Sequence, residues 1–384
     1  MGQEIHDFVP SSCGLLALGE PTHREPGFAS LRNELFADLV AAGFRSIALE
    51  SDRVAALVVH DYVRDGIGSL DEAMRTGFSH GFGDLDANRQ LVAWIRAHNE
   101  RVPPEDRVAF HGFDGAMETM SAPSPRRYLE CARDYLDFDL DFTDVVGEDE
   151  QWSRTEAVLD PAVSIGDTAQ ARQLRVLADD LLSTLYTRAP ERIATTSHAE
   201  WRRAAIHLTT ALGLLRYHRQ AAQRLEDADR WSRLSATRDA LMAQNLLDIR
   251  TEEARRGPTL VCAHNLHLRR NASHLRMGPM DLTWSGAGEI VATLLGDQYS
   301  VLLGSLGSSP TIGLGDPPTG TYEHALQDRI PTWGLTRAET IEAAHTRADI
   351  TPEQGYFPLD PDTVHGADAI LHLNTGAATS PPVG

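Results

Sequence analysis

The chain has 384 residues, 42% of them hydrophobic, and a formal net charge of −20. That length and content suit one elaborated domain or two, and the charge disfavours nucleic-acid phosphates or an anionic membrane as main partners. Every Lys/Arg position is arginine, which excludes Schiff-base chemistry, a lysine general base and a G-K-[ST] phosphate loop.

In chain order, Leu15–Leu18 is a short apolar run that stops at Gly19 and delivers Glu20 and His23 into the next loop. Phe28, Leu31, Leu35, Phe36, Leu39 and Val40 then recur at helical spacing, with Gly43 as a natural C-cap. A second strand, Ser46–Glu50, again ends on a carboxylate, and Asp52 is placed to cap a helix that ends near Gly66. Gly66 to Asp86 reads as a long functional loop with a short helical piece. Leu91, Trp94, Ile95 and His98 mark another helix, and Arg107–Asp114 the next strand. Strand, helix, strand, helix, strand predicts a mostly parallel α/β sheet with helices on both faces. Residues 125–257 carry no convincing strand and read as a large helical insertion forming a cleft wall; residues 1–124 and 258–384 form the α/β core. The sheet resumes at Thr259, where Leu260–Ala263 runs into His264-Asn265-Leu266-His267. Tyr299–Leu303 is a further strand, Gly304–Tyr322 a loop or lid, and Gly366–Leu373 the last strand; the tail after Asn374 has no core-forming pattern.

Cys13, Cys131 and Cys262 are an odd, sparse set, which points to reduced thiols. The N-terminus does not resemble a secretory signal, and no apolar run approaches the ~20 residues that span a bilayer. The expectation is a cytoplasmic protein.

Three apolar strands that each end in titratable groups place an active site at the carboxyl edge of the sheet. If the strands are adjacent, Glu20, Glu50, His23, His264 and His267 converge there. A histidine with a carboxylate partner is a water-activating base; two further histidines could polarise a carbonyl, or the same set could hold a divalent metal. Gly77-Phe78-Ser79-His80-Gly81 matches the G-x-S-x-G nucleophile elbow, but that motif needs a strand before it, and Asp71–Arg75 reads as helix. Arg238, Met242 and Asn245 share one helical face, with Asp239 beside Arg238; Met242 reads as packing between insertion and sheet, while Arg238 and Asn245 are open between a structural ion pair and a role at the site.

These residues resemble the erythromycin esterase family: Gly19-Glu20-Pro21-Thr22-His23, Phe44–Glu50 and His264-Asn265-Leu266-His267. Leu91–Asn99, Gly112-Phe113-Asp114, Arg238-Asp239 with Met242 and Asn245, and Gly366–Leu373 follow in the family's order. The resemblance implies an α/β sheet with a helical cleft wall and metal-independent hydrolysis of a macrolide lactone, with no cofactor. It implies His23 as base, Glu20 and Glu50 as its carboxylates, Arg32 at the site, and His264 and His267 as the second histidine pair. The chain departs from the family pattern at Arg24-Glu25-Pro26 and at Gly81–Asn88, where substrate is read. The expected partner is a macrolide or another large natural product, as a resistance or secondary-metabolism activity. The rival readings are a biosynthetic enzyme of the same fold performing acyl transfer or ring closure, a metal-dependent hydrolase using the same residues, and a non-catalytic binding protein.

Overall fold

A computed structural model describes residues 5–376; the last ten residues of the tail lie partly, and the first four wholly, outside them. Nine strands occur: β1 (Leu15–Glu20), β2 (Ser46–Asp52), β3 (Ala109–Asp114), β4 (Thr259–His264), β5 (Ser273–Met277), β6 (Met280–Trp284), β7 (Tyr299–Ser308), β8 (Trp333–Arg337) and β9 (Ala369–Thr375). Seven of them form one sheet in the order β3-β2-β4-β1-β7-β9-β8, parallel except for β8, which runs antiparallel to β9. β2, β3 and β4 are buried along their whole length, which is why they read as unbroken apolar runs: helices cover both faces. Because β4 inserts between β1 and β2, the His264–His267 segment is brought between the strands that carry Glu20 and Glu50.

The first helices form for local reasons. Glu25 caps the Pro26–Ala41 helix by accepting the Gly27 N–H at 3.0 Å, and Pro26 supplies the fixed φ of a first helical position. Asp52 accepts the N–H groups of Val54 and Ala55 at 2.7 and 3.2 Å, just before the Ala56–Asp65 helix, which ends on Gly66 in the left-handed conformation. Between β3 and β4 the chain runs through four longer helices, Arg126–Leu136, Ala169–Thr187, His198–Ala221 and Asp227–Glu253. The last crosses the sheet and sinks Met242, Leu246 and Ile249 into the core beside Ala17, Ala48 and Val261.

The structure departs from the sequence expectation in three places. β7 runs on through Ser308, where a loop was expected from Gly304. β8 was not anticipated, because its five residues carry one fully buried apolar side chain. The β5–β6 hairpin was also missed; it exposes alternate polar residues and turns at Gly278, whose φ of 59° suits glycine. Among the described residues no helix is long and apolar enough to cross a membrane.

Candidate active site

Glu20 and His264 end their strands in register with each other. Asn265 locks this edge together: its side chain donates to the Gly304 carbonyl (2.8 Å) and accepts the Gly304 N–H (2.9 Å). The reach passes over Gly19, where an added Cβ would fall 2.3 Å from the Asn265 oxygen. The Gly-Glu and His-Asn motifs therefore interlock physically. Glu50 lies where the β2–β3 register shifts between Leu49 and Asp52, an irregularity of the kind that re-aims a side chain.

Around Glu50 the expected groups converge. Its Oε2 accepts the His264 backbone N–H at 2.8 Å and lies 3.5 Å from His23 Nε2; its Oε1 lies 3.5 Å from His267 Nε2. His23 Nδ1 meets Glu20 Oε1 at 2.6 Å. The His23 and His264 ring centroids are 5.4 Å apart, and Phe357 caps the far side of His264 at 4.6 Å. His267 Nδ1 meets Asp239 Oδ1 at 2.8 Å, and Asp239 also accepts the Trp284 indole N–H and the Ala287 N–H, both at 2.8 Å. Arg238 reaches Glu50 Oε1 at 3.3 Å and grips Asp114 through Nε (3.0 Å) and Nη2 (2.5 Å).

The electrostatics separate three histidines clustered around Glu50. Burial works against a charged His23, but the facing Glu50 and Glu20 carboxylates overcome it and hold the proton up to about 10. Burial, with the neighbouring His23 charge, pushes His264 down to about 3, so it is neutral. His264 Nδ1 accepts the Leu266 N–H at 3.2 Å, which leaves the ring proton on Nε2. That Nε2–H is buried and makes no aligned hydrogen bond among the described residues; the Pro21 carbonyl only weakly favours the charged ring. His267 is raised despite burial, because Asp239 and Glu50 flank it. Glu50 is held well below the ordinary carboxylate range: burial opposes this, and the charges of His23, His267 and Arg238 reverse it. Asp114 is drawn down to about 2 against its burial, chiefly by Arg238.

His23, Glu20 and Glu50 open onto a cavity of about 560 Å³. Arg32 stands on its wall, donating to Asn88 Oδ1 at 2.8 Å and Asn33 Oδ1 at 2.9 Å, with no carboxylate within ion-pair distance among the described residues. Cys262 lines the same cavity, but burial pushes its thiol up to about 12, so it is no thiolate nucleophile near neutral pH. Ser79 follows the Leu70–Thr76 helix rather than a strand, and its Oγ accepts the Asp52 N–H at 2.9 Å. It is a loop anchor, not the tip of a nucleophile elbow.

Of the six residues singled out from the sequence, Glu20, His23, Glu50 and Arg32 line the cavity, while His264 and His267 pack behind it against His23 and Glu50. Asp114, Arg238, Asp239 and His80 were not singled out as site residues, although Asp114 ends a strand in the same way as Glu20 and Glu50 and could have been found by that rule. Arg238 and Asp239 come from a helix more than 120 positions beyond Asp114; the helical face offers Arg238 for an ion pair with the sheet, but not the carboxylate that it meets. Elsewhere His111, Glu252 and Glu253 converge closely enough to suit an ion, but Arg202 and Arg256 already engage the two carboxylates at 2.5 and 2.6 Å.

The family model described as erythromycin esterase matches residues 40–380. No curated protein matches the sequence. Three solved structures share the fold. A Bacillus cereus protein has 16% identity and a TM-score of 0.70, covering 97% of this chain and 90% of its own. A succinoglycan biosynthesis protein has 15% identity and a TM-score of 0.65, covering 95% and 88%. A mutant of the erythromycin esterase EreC in its open conformation has 18% identity and a TM-score of 0.65, covering 97% and 93%.

Proposed function

The chain belongs to the erythromycin esterase family and is an ester hydrolase, and on that premise we propose that it opens a macrolide lactone, or a similar ester of a large natural product, with water activated at His23 and no metal ion. The observation that carries this reading is the His23–Glu50 gap. At 3.5 Å it is too long for a strong direct hydrogen bond, and a water seated beside the pair on the cavity side can touch both groups. Glu20 fixes the imidazole from behind through Nδ1, so Nε2 faces that water.

The three imidazoles take different roles. Neutral His23 accepts the water proton as its oxygen attacks the carbonyl carbon. His264 is kept neutral and donates its Nε2–H, which makes no aligned hydrogen bond among the described residues, to the carbonyl oxygen as negative charge develops there. His267, charged between Asp239 and Glu50, supplies a proton to the departing alkoxide. Arg32 orients the substrate from the cavity wall. His23 then loses its proton to solvent, His267 takes one up, and the site resets. Acidic side chains border the cavity, which favours a neutral or cationic substrate.

The test is a panel of macrolides incubated with the protein and followed by mass spectrometry. Gain of one water, unchanged by chelator, supports the proposal. Loss of turnover on chelation with recovery on added zinc or manganese overturns the metal-free mechanism. An alcohol or amine incorporated in place of water overturns hydrolysis.

A further inference from the structure

We propose that His80 is a positioning residue for this reaction: from the loop Gly77–Leu85 it braces the Asp114–Arg238–Glu50 chain and the Phe82 ring, both of which end on His23. The inference rests on the reading of His23 as the base.

Four observations converge on His80. Its backbone has φ 57°, and among the described residues only Asp137 shares a positive φ without being glycine. Asp137 has an ordinary reason, since it ends a helix; His80 does not. Gly81 follows in the same left-handed region at φ 72°, so two successive residues hold this turn and the first of them carries an imidazole where glycine is the usual residue. The second observation is that both ring nitrogens are engaged by carboxylates: Nε2 meets Asp114 Oδ2 at 2.9 Å, and Nδ1 meets Glu118 Oε2 at 2.7 Å. Carboxylates accept only, so Nε2 donates to Asp114, and the Glu118 contact is an ion pair when the ring is an imidazolium. Burial opposes that form, and the Asp114 hydrogen bond and charge favour it, with a net upward shift.

Thirdly, His80 and Arg238 compete for the same Asp114 oxygen. Arg238 Nη2 lies 2.5 Å from Asp114 Oδ2, 3.4 Å from His80 Nε2 and 3.3 Å from Glu50 Oε1. By taking part of the Asp114 charge, His80 leaves Arg238 free to lean on Glu50. The fourth is the Phe82 ring, 5.8 Å from His80 and 5.2 Å from His23. The groups facing His80 are therefore Asp114 from β3, Glu118 from the loop after it, Arg238 from the Asp227–Glu253 helix and the Phe82 ring from its own loop. Its neighbour Ser79 ties the loop to Ser51 and Asp52 independently, so removing the His80 side chain leaves an anchor in place.

Two substitutions separate positioning from mere support. His80→Gly relieves the backbone and deletes the imidazole; His80→Asn tolerates the left-handed conformation and keeps one donor. Three readouts are compared with the parent protein: thermal unfolding, the titration of His23 followed by histidine-selective NMR, and kcat and KM for erythromycin measured as gain of water. In His80→Gly the melting temperature is unchanged or raised. Asp114 then draws Arg238 away from Glu50, so the His23 midpoint moves to higher pH. The kcat falls on the order of 10-fold to 100-fold with little change in KM. His80→Asn lies between the two. A folded His80→Gly, or a folded His80→Asn if the glycine variant does not fold, with the parental His23 midpoint and kcat overturns the proposal. A displaced His23 midpoint in a protein whose parent does not hydrolyse erythromycin supports the role of His80 and instead overturns the macrolide reading.

Discussion

Glu20 and His264 are register partners on adjacent parallel strands, although 244 positions separate them in the chain. Everything at the site follows from that adjacency. It places a carboxylate-bound imidazole, His23, within 5.4 Å of a second imidazole that burial keeps neutral. In the proposed mechanism one accepts a proton from water while the other donates one to oxygen, so two residues of the same type are assigned opposite tasks.

The pH dependence of turnover follows from His23. Its proton is held up to about 10 in the free protein, so kcat/KM rises across the alkaline range as the neutral base appears. Glu20 is one of the groups that raises it. Glu20→Gln therefore moves the ascending limb to lower pH, while kcat falls because Nδ1 loses its charged anchor. A pH–rate series on both proteins checks this, and an unchanged limb sinks it.

Stability has the opposite sign at the same group. A folded-state proton affinity above the unfolded value of ~6.5 contributes stability that is complete below that pH. It is lost as pH rises through about 10. His23→Gln removes this contribution, so chemical denaturation at pH 6 and pH 10 gives a smaller difference than in the parent.

Arg238→Met tests the buried ion pairs. Asp114 is fully buried, and its affinity for protons is held down to about 2, mainly by Arg238. Relative to an unfolded aspartate at ~3.9, that depression contributes about 2–3 kcal/mol, present above pH ~4 and lost as pH falls toward 2. Without Arg238 the charge is stranded, so the variant is less stable at pH 7 by roughly 3 kcal/mol or more, and the deficit narrows as pH approaches 4. Urea titrations at the two pH values measure it.

Asp239 holds three donors at once, from His267, Trp284 and Ala287. Asp239→Ala leaves two buried N–H groups without an acceptor, at roughly 1–3 kcal/mol each. It also releases His267, whose proton affinity drops. Expected together are a lower denaturation midpoint and a kcat loss concentrated at higher pH, where the proton donor is no longer charged. Loss of stability with an unaltered pH profile argues against His267 as the donor.

Ser79→Ala separates the loop-anchor role from a nucleophile role. The hydroxyl accepts the Asp52 N–H, so its loss costs about 1–2 kcal/mol of stability and leaves most of the activity. Complete loss of turnover in a folded variant would restore the serine nucleophile.

The local pattern of the chain determined a good deal. Apolar runs without internal alternation declared buried parallel strands, because a strand covered by helices on both faces has no polar side to display. Glu20, Glu50 and His264 were legible for the same reason: each is the first polar group after such a run. Gly19 and Asn265 were legible as motif residues, but their purpose was not, since the Asn265 bridge to Gly304 exists only once β7 lies beside β1. β8 and the β5–β6 hairpin escaped because short strands with one exposed face carry little apolar signal.

Tertiary structure alone decided the division of labour. Sequence spacing gives His264 and His267 equal standing, three positions apart, yet burial neutralises the first while Asp239, from a distant helix, raises the proton affinity of the second. Proton affinity is set by what surrounds a side chain rather than by its chain neighbours. The sheet order β2-β4-β1 and the crossing of the Asp227–Glu253 helix supplied those surroundings.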